Sequence, residues 1–282
     1  MDILGHNDPT ILKMLYDLTG INPKTIPLDD EETMRLLSNA ETTGISEFST
    51  EYVRGILQDT RPTTIEELIK ISGLVHGTDL WIDNQQMLVQ QNIIKLKDTI
   101  ATRDDIMLYL MKQGISKEKS FEIMEFIRKG KVLKEKEKWQ EYVQIMNNYN
   151  IPSWYIKSCE KIGYIFPKAH ATSYVINSFR IAWYKVHYPC EFYASYFSVN
   201  YSEELKDIIT ELTEGNVVNQ IRNRKSLISD RYLKQDLDVM LEMYQNGIKF
   251  LPVDSKKSHS TKFMVEKEGI RLPLIITNAG ND

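Results

Sequence analysis

At 282 residues, with 42% hydrophobic and 26% charged side chains and only 13 Gly and 9 Pro, the chain can bury a sizeable core in one or two domains, and collagen-like and β-rich classes are excluded. A formal net charge of −4 argues against a free-standing DNA-binding domain, which usually carries a basic surplus, so any nucleic-acid role must rest on local patches or partner segments. There is no run of about 20 apolar residues and no signal peptide, so no membrane segment is expected, and Cys159 and Cys190 have neither metal nor redox spacing, which suits a reducing cytoplasm.

The first predicted helix lies in GHNDPTILKMLYDLTG, with Asp8 as N-cap, Pro9 at the first helical position and Gly20 as the stop. IPLDDEETMRLLSNAE predicts a short helix with acids in its first turn, where they suit the positive helix end. Two more helices follow in STEYVRGILQDT and TTIEELIKISG. SGLVHGTDLW reads as a loop, because Gly73 and Gly77 interrupt the pattern; either they let the backbone approach a ligand, with Ser72 and His76 alongside, or the stretch is an inter-helix turn closed by its own side chains. A run of helices then leads through RDDIMLYLMKQG to PSWYIKSCEKIGYIF. Within it, residues 128–138 form a mixed charge run that reads as a solvated face or, less simply, as a contact for a nucleic-acid backbone.

The long helix that opens within FPKAHATSYV carries, from His170 onward, two stripes at about 100° per residue. Val175, Ile176, Phe179, Ala182, Trp183 and Val186 form a core stripe. His170, Ser173, Tyr174, Asn177 and Tyr184 form the other, flanked by Arg180 and Lys185. That second stripe is aromatic, hydrogen-bonding and cationic, which fits a ligand flat in one part and anionic in another. Residues 202–246 read as further helix, where QDLDVML superficially resembles a sliding-clamp-binding peptide but places Leu237, Met240 and Leu241 at core spacing. IKFLPVD and TKFMVEKEGIRL read as short strands, the second as a hairpin turning at Lys267, Glu268 and Gly269. The fold class expected is mainly α, a multi-helix body with a small β element near the C-terminus.

Arg103 stands at a helix start, where a cation opposes the helix dipole. It therefore serves either a phosphate or a local ion pair with Asp104 or Asp105. The acidic pairs themselves read as first-turn residues rather than metal ligands, and no Walker loop, dinucleotide fingerprint, zinc spacing or nucleophile elbow is present.

Six ordered pieces, MDILGHNDPT, SGLVHGTDLW, RDDIMLYL, FPKAHATSYV, RIAWYKVHYP with FYASYF, and GIKFLPVD, together resemble the C-terminal half of a PolC-type bacterial DNA polymerase III alpha subunit. The DnaE type of bacterial replicative polymerase carries a similar F-x-K-S/A-H-A-x-x-Y segment and is the nearest alternative. A non-catalytic helical interaction module is the alternative from another class.

The resemblance implies a fingers-region fragment of a replicative DNA polymerase, a DNA-directed nucleotidyltransferase of the bacterial cytoplasm. It implies three palm carboxylates holding two Mg²⁺ ions in the full enzyme. The third resembles Asp2, the catalytic and metal-ligand candidate, so this chain alone is expected to bind Mg²⁺ weakly and to be inactive. Arg103, Lys168, His170 and Tyr174 would face the incoming deoxynucleoside triphosphate, with Ser72, Gly73, His76 and Gly77 in an adjoining wall. Lys129, Lys131, Arg180 and Lys185 are the candidates for contact with primer-template DNA. A sliding clamp would be reached only through segments outside this chain, and no membrane partner is expected. The corresponding division is 1–20 for a palm remnant and first helix, 21–200 for a helical fingers core, 201–246 for a helical extension, and 247–282 for a β hairpin region leading to a helix-hairpin-helix module.

Overall fold

The structure, a computed structural model, describes residues 7–212 and 215–276. Its helices are α1 (Asp8–Thr19), α2 (Glu31–Ser38), α3 (Glu51–Thr60), α4 (Ile65–His76), α5 (Gln86–Gln90), α6 (Arg103–Lys112), α7 (Lys117–Arg128), α8 (Lys136–Asn148), α9 (Ser153–Lys161), α10 (Lys168–His187), α11 (Pro189–Val199), α12 (Glu203–Glu211), α13 (Val217–Leu227) and α14 (Arg231–Gln245). The strands β1 (Phe250–Leu251), β2 (Met264–Glu266) and β3 (Gly269–Arg271) make one small sheet. β3 is central, antiparallel to β2 in the predicted hairpin and parallel to β1. The mainly α class read from the sequence is the class observed.

Two compact units share the chain, and they cut across the boundaries read from the sequence. One takes the described residues up to Thr50 and from Asn177 onward; the other is Glu51–Ile176. α10 contributes to both.

In the first unit, Phe192, Tyr193 and Phe197 of α11 pack with Ile11, Leu12 and Leu15 of α1 and with Leu237, Met240 and Met243 of α14. The clamp-like QDLDVML stretch is thus part of a core helix, as its spacing predicts. Asp8 is not the cap of α1: the helix begins there, Asn7 precedes it, and the buried Asp8 carboxylate accepts the Ser46 hydroxyl at 2.6 Å. In the second unit, Ile106 and Leu110 of α6 are fully buried, as are Ile123 and Ile127 of α7.

The tyrosines of α11 need partners for hydroxyls carried into this core. Tyr193 donates to Glu242 at 2.7 Å and Tyr196 to Asp236 at 2.8 Å. Burial pushes the Asp236 carboxyl up to about 6 from its ordinary 3.8; the Tyr196 hydrogen bond opposes the shift and the nearby Asp230 charge adds to it. A raised acid favours the folded state most while protonated. Its contribution is therefore complete below about pH 4 and is lost as pH rises through about 6. Asp236→Asn is expected to remove this dependence and to raise stability at pH 7 by about 1–2 kcal/mol. Denaturant unfolding of both proteins at pH 4.5 and pH 7 checks it, and an unchanged pH slope would count against the buried-charge account.

Candidate functional site

Three stretches of the second unit come together. The C-terminal end of α4 is zipped to residues 163–164: the Thr78 N–H donates to the Tyr164 carbonyl at 2.8 Å and the Gly163 N–H to the Thr78 carbonyl at 3.1 Å. The start of α6 is clasped to the segment before α10: the Arg103 N–H donates to the Phe166 carbonyl at 2.9 Å. A second bond closes the clasp, from the Lys168 N–H to Asp104 Oδ2 at 2.7 Å. Lys168 is the first residue of α10, so Asp104 satisfies one of the free N–H groups at that helix start from another element.

The neighbouring acid does different work. Asp105 Oδ2 accepts from Thr102 N at 2.7 Å in a capping box, and its other oxygen pairs with Lys70 at 2.8 Å. The local ion pair that was an alternative role for Arg103 is not made. Neither the Arg103 guanidinium nor the Lys168 ammonium has a partner among the described residues, and Lys168 is exposed. Two cations without a partner among the described residues, Arg103 half-buried and Lys168 exposed, thus stand on segments joined by one backbone bond and one bond to the Asp104 carboxylate.

A ring cluster lies beside them. His170 stacks on Phe166 at 4.9 Å between centroids and meets Tyr174 edge-on at 4.6 Å. His76 contacts His170 at 5.4 Å and Tyr174 at 5.8 Å. His170 is 9% exposed, so its ring is mostly enclosed rather than presented on an open face.

Several expectations change. Residues 73–76 are helix, not loop, with Gly77 as the C-cap. The two glycines serve chain-to-chain approach: a Cβ on Gly73 would lie 2.5 Å from the Ala101 carbonyl oxygen, and one on Gly77 would lie 2.9 Å from that of Tyr164. Ser72 is buried with an unpartnered hydroxyl, so it faces the helix packing. Tyr184 leaves the ligand stripe for the core, its hydroxyl donating to the Ile21 carbonyl at 2.5 Å.

Lys185 is corrected as a DNA contact. Its ammonium is buried and donates to the Thr43 carbonyl at 2.7 Å and the Glu41 carbonyl at 3.1 Å, while pairing with Glu242 at 2.8 Å. All three donors are used inside the first unit. Arg180 is half-buried, with an Nε that has no partner among the described residues. Lys129 and Lys131 remain at the surface, paired with Glu125 at 3.3 Å and Glu135 at 2.9 Å. Such pairs contribute about 0–1 kcal/mol, so a phosphate competes with them easily. Asp2 lies outside the described residues.

Phe166 and Asp104 are the site residues that sequence reasoning missed. Phe166 stands in the FPKAH motif itself and was legible there; Asp104 looked like a routine first-turn acid.

The family model described as bacterial DNA polymerase III alpha subunit finger domain matches residues 8–150. Over 97% of its length the chain is 45% identical to the PolC-type DNA polymerase III of Caldanaerobacter subterraneus subsp. tengcongensis and 44% identical to that of Bacillus subtilis. It is 42% identical to the Staphylococcus epidermidis protein of the same name over 98% of its length. The chain spans about one-fifth of the length of these relatives, 20% in each case.

Proposed function

The chain belongs to the bacterial DNA polymerase III alpha subunit finger-domain family, in its PolC-type branch, and from that membership we propose that it binds the triphosphate of an incoming deoxynucleotide for template-directed DNA synthesis by a longer polymerase. The observation that carries this reading is the clasp of 2.9 and 2.7 Å that joins the segments bearing Arg103 and Lys168 and leaves both cations unpaired. A triphosphate is multiply anionic, and one helix offers only one stripe. Cations from two helix starts therefore neutralise it better than one.

Arg103 supplies a planar fork of donors suited to phosphate oxygens, and Lys168 a compact charge. Charge moves onto the leaving phosphates during transfer, so fixed cations there stabilise the transition state without reorganising. The rings of His76, Phe166, His170 and Tyr174 offer the flat, enclosed surface that a sugar and base require. Lys129, Lys131 and Arg180 are the proposed contacts with primer-template DNA.

Among the described residues, no group of three or more His, Cys, Asp or Glu is arranged to hold a metal ion, so these residues offer Mg²⁺ no donor set. Bound in the family's palm, Mg²⁺ supplies charge neutralisation and activation of the attacking oxygen. The role of the residues described here is to bind and orient the nucleotide.

The test is steady-state incorporation by the complete polymerase. His170→Ala removes ring contacts rather than a free cation, so KM for the nucleotide is expected to rise by about 2- to 10-fold, less than on loss of Arg103. Wild-type kinetics from the His170 variant would remove the ring cluster from the site.

A further inference from the structure

A pocket of about 410 Å³ lies on another side of α6. Asp105, Leu108, Tyr109 and Lys112 line it at helix spacing, while Arg103 projects about 160° away from Asp105 around the axis and is not part of its wall. The nucleotide-facing cluster does not reach it. α9 supplies the opposite wall with Trp154 and Tyr155, and Lys97 stands on the segment before α6.

Three features point to a ligand. Tyr109 stacks on Tyr155 with centroids 4.2 Å apart, and Trp154 meets Tyr155 edge-on at 5.5 Å, so the walls are aromatic and part-exposed. Tyr155 is 2% exposed and lines the pocket, yet its hydroxyl has no hydrogen-bond partner among the described residues. A buried polar group left in this state is normally satisfied by a water or a ligand. Lys97 and Lys112 are exposed and have no partner among the described residues, and since Lys70 neutralises Asp105, they outweigh the remaining Asp98.

We propose that this pocket takes an unpaired base of single-stranded DNA, stacked against Trp154 and Tyr109, with Lys97 and Lys112 on the flanking phosphates. The proposal rests on the polymerase reading above, which supplies a template strand with unpaired bases ahead of the incoming nucleotide. Aromatic platforms interleaved with lysines suit single strands of any sequence, because every base has a face to stack. Tyr109 stands about 9 Å along α6 from Arg103, so one rigid helix addresses the nucleotide with its first residue and the strand with its later turns. The Tyr155 hydroxyl provides one polar contact to a base edge, too little to read sequence.

The test uses the complete polymerase on a primer-template whose 5′ template overhang carries 2-aminopurine at its unpaired positions. Stacking in the pocket quenches this base. Trp154→Ala is expected to abolish the quench at one overhang position and to weaken overhang binding by about 5-fold or more. Because Trp154 also packs on Tyr155, the surface variant Lys97→Glu/Lys112→Glu serves as a second arm. It is expected to weaken overhang binding and flatten its salt dependence without raising KM for the nucleotide. Quenching and salt dependence unchanged in both variants would overturn the proposal. Relief of the quench by excess deoxyadenosine monophosphate, with no dependence on overhang length, would also overturn it, by making the occupant a free nucleotide. Arg103→Ala separates the two readings. Quenching that persists while nucleotide KM rises supports both. Trp154-dependent quenching with unchanged nucleotide kinetics in Arg103→Ala upholds the strand pocket and removes the triphosphate site.

Discussion

Replacing Arg103 by alanine in the complete polymerase is expected to lower kcat/KM for the incoming nucleotide by about 10- to 100-fold, and Lys168→Ala by a similar amount. A hydrogen bond to a charged group contributes roughly 1.5–3 kcal/mol, which converts to that range of rates. Neither cation has a partner among the described residues, so neither substitution strands an acid there, and the loss falls on the ligand rather than on folding. If the contacts strengthen in the transition state, kcat falls along with the rise in KM; if they act equally on bound substrate, KM alone moves. Arg103→Lys should recover only part of the loss, because an ammonium cannot reproduce the guanidinium fork. Single-nucleotide incorporation at varied nucleotide concentration reads all of these. Wild-type kcat and KM in Arg103→Ala would remove this residue from the site.

The largest stability effect is expected at Lys185. Its side chain is 6% exposed, while that of its partner Glu242 is 23% exposed and also accepts the Tyr193 hydroxyl. Removing one member of a buried pair leaves the other desolvated and alone, which destabilises by about 3–5 kcal/mol in enclosed cases. Partial exposure of Glu242 brings the expected loss for Lys185→Met to about 3 kcal/mol. The carbonyls of Thr43 and Glu41 lose their donor as well. Adding Glu242→Gln to this variant should restore part of the loss, since an amide tolerates the site better than an unpaired carboxylate. Denaturant unfolding of the single and double variants measures both steps. A Lys185→Met protein of wild-type stability would show that the pair contributes nothing to the fold.

These two lysines mark the limit of what the sequence could reveal. Lys168 and Lys185 stand on the same helix, and an angular projection sets Lys185 beside its polar stripe but Lys168 about 160° from His170, on the apolar side. One is exposed beside Arg103; the other is buried among carbonyls of residues 41–43. Periodicity places a side chain on a face, but which element covers that face depends on contacts more than 140 residues apart. Tyr184 was misplaced for the same reason, since its partner is Ile21. Helices were legible because their apolar spacing and first-turn acids are local, and the hairpin at Lys267 and Glu268 because its turn is short. The glycines of SGLVHG were legible as close-approach positions but not in what they approach, because Ala101 and Tyr164 arrive from elsewhere in the chain. The FPKAH motif pointed to Lys168 and His170 directly. Asp104 stayed hidden, because a first-turn acid normally serves its own helix, whereas this one holds the start of another.

Convergence of Arg103 and Lys168 on one triphosphate is tested most directly by a double-mutant cycle in the complete polymerase, with kcat/KM measured for Arg103→Ala, Lys168→Ala and the pair. Side chains that share one ligand are coupled, so the double variant is expected to lose less than the product of the single losses, by about 0.5 kcal/mol or more. Single losses of 10-fold or more that multiply to within about 0.3 kcal/mol would place the two cations on independent tasks and contradict the shared site.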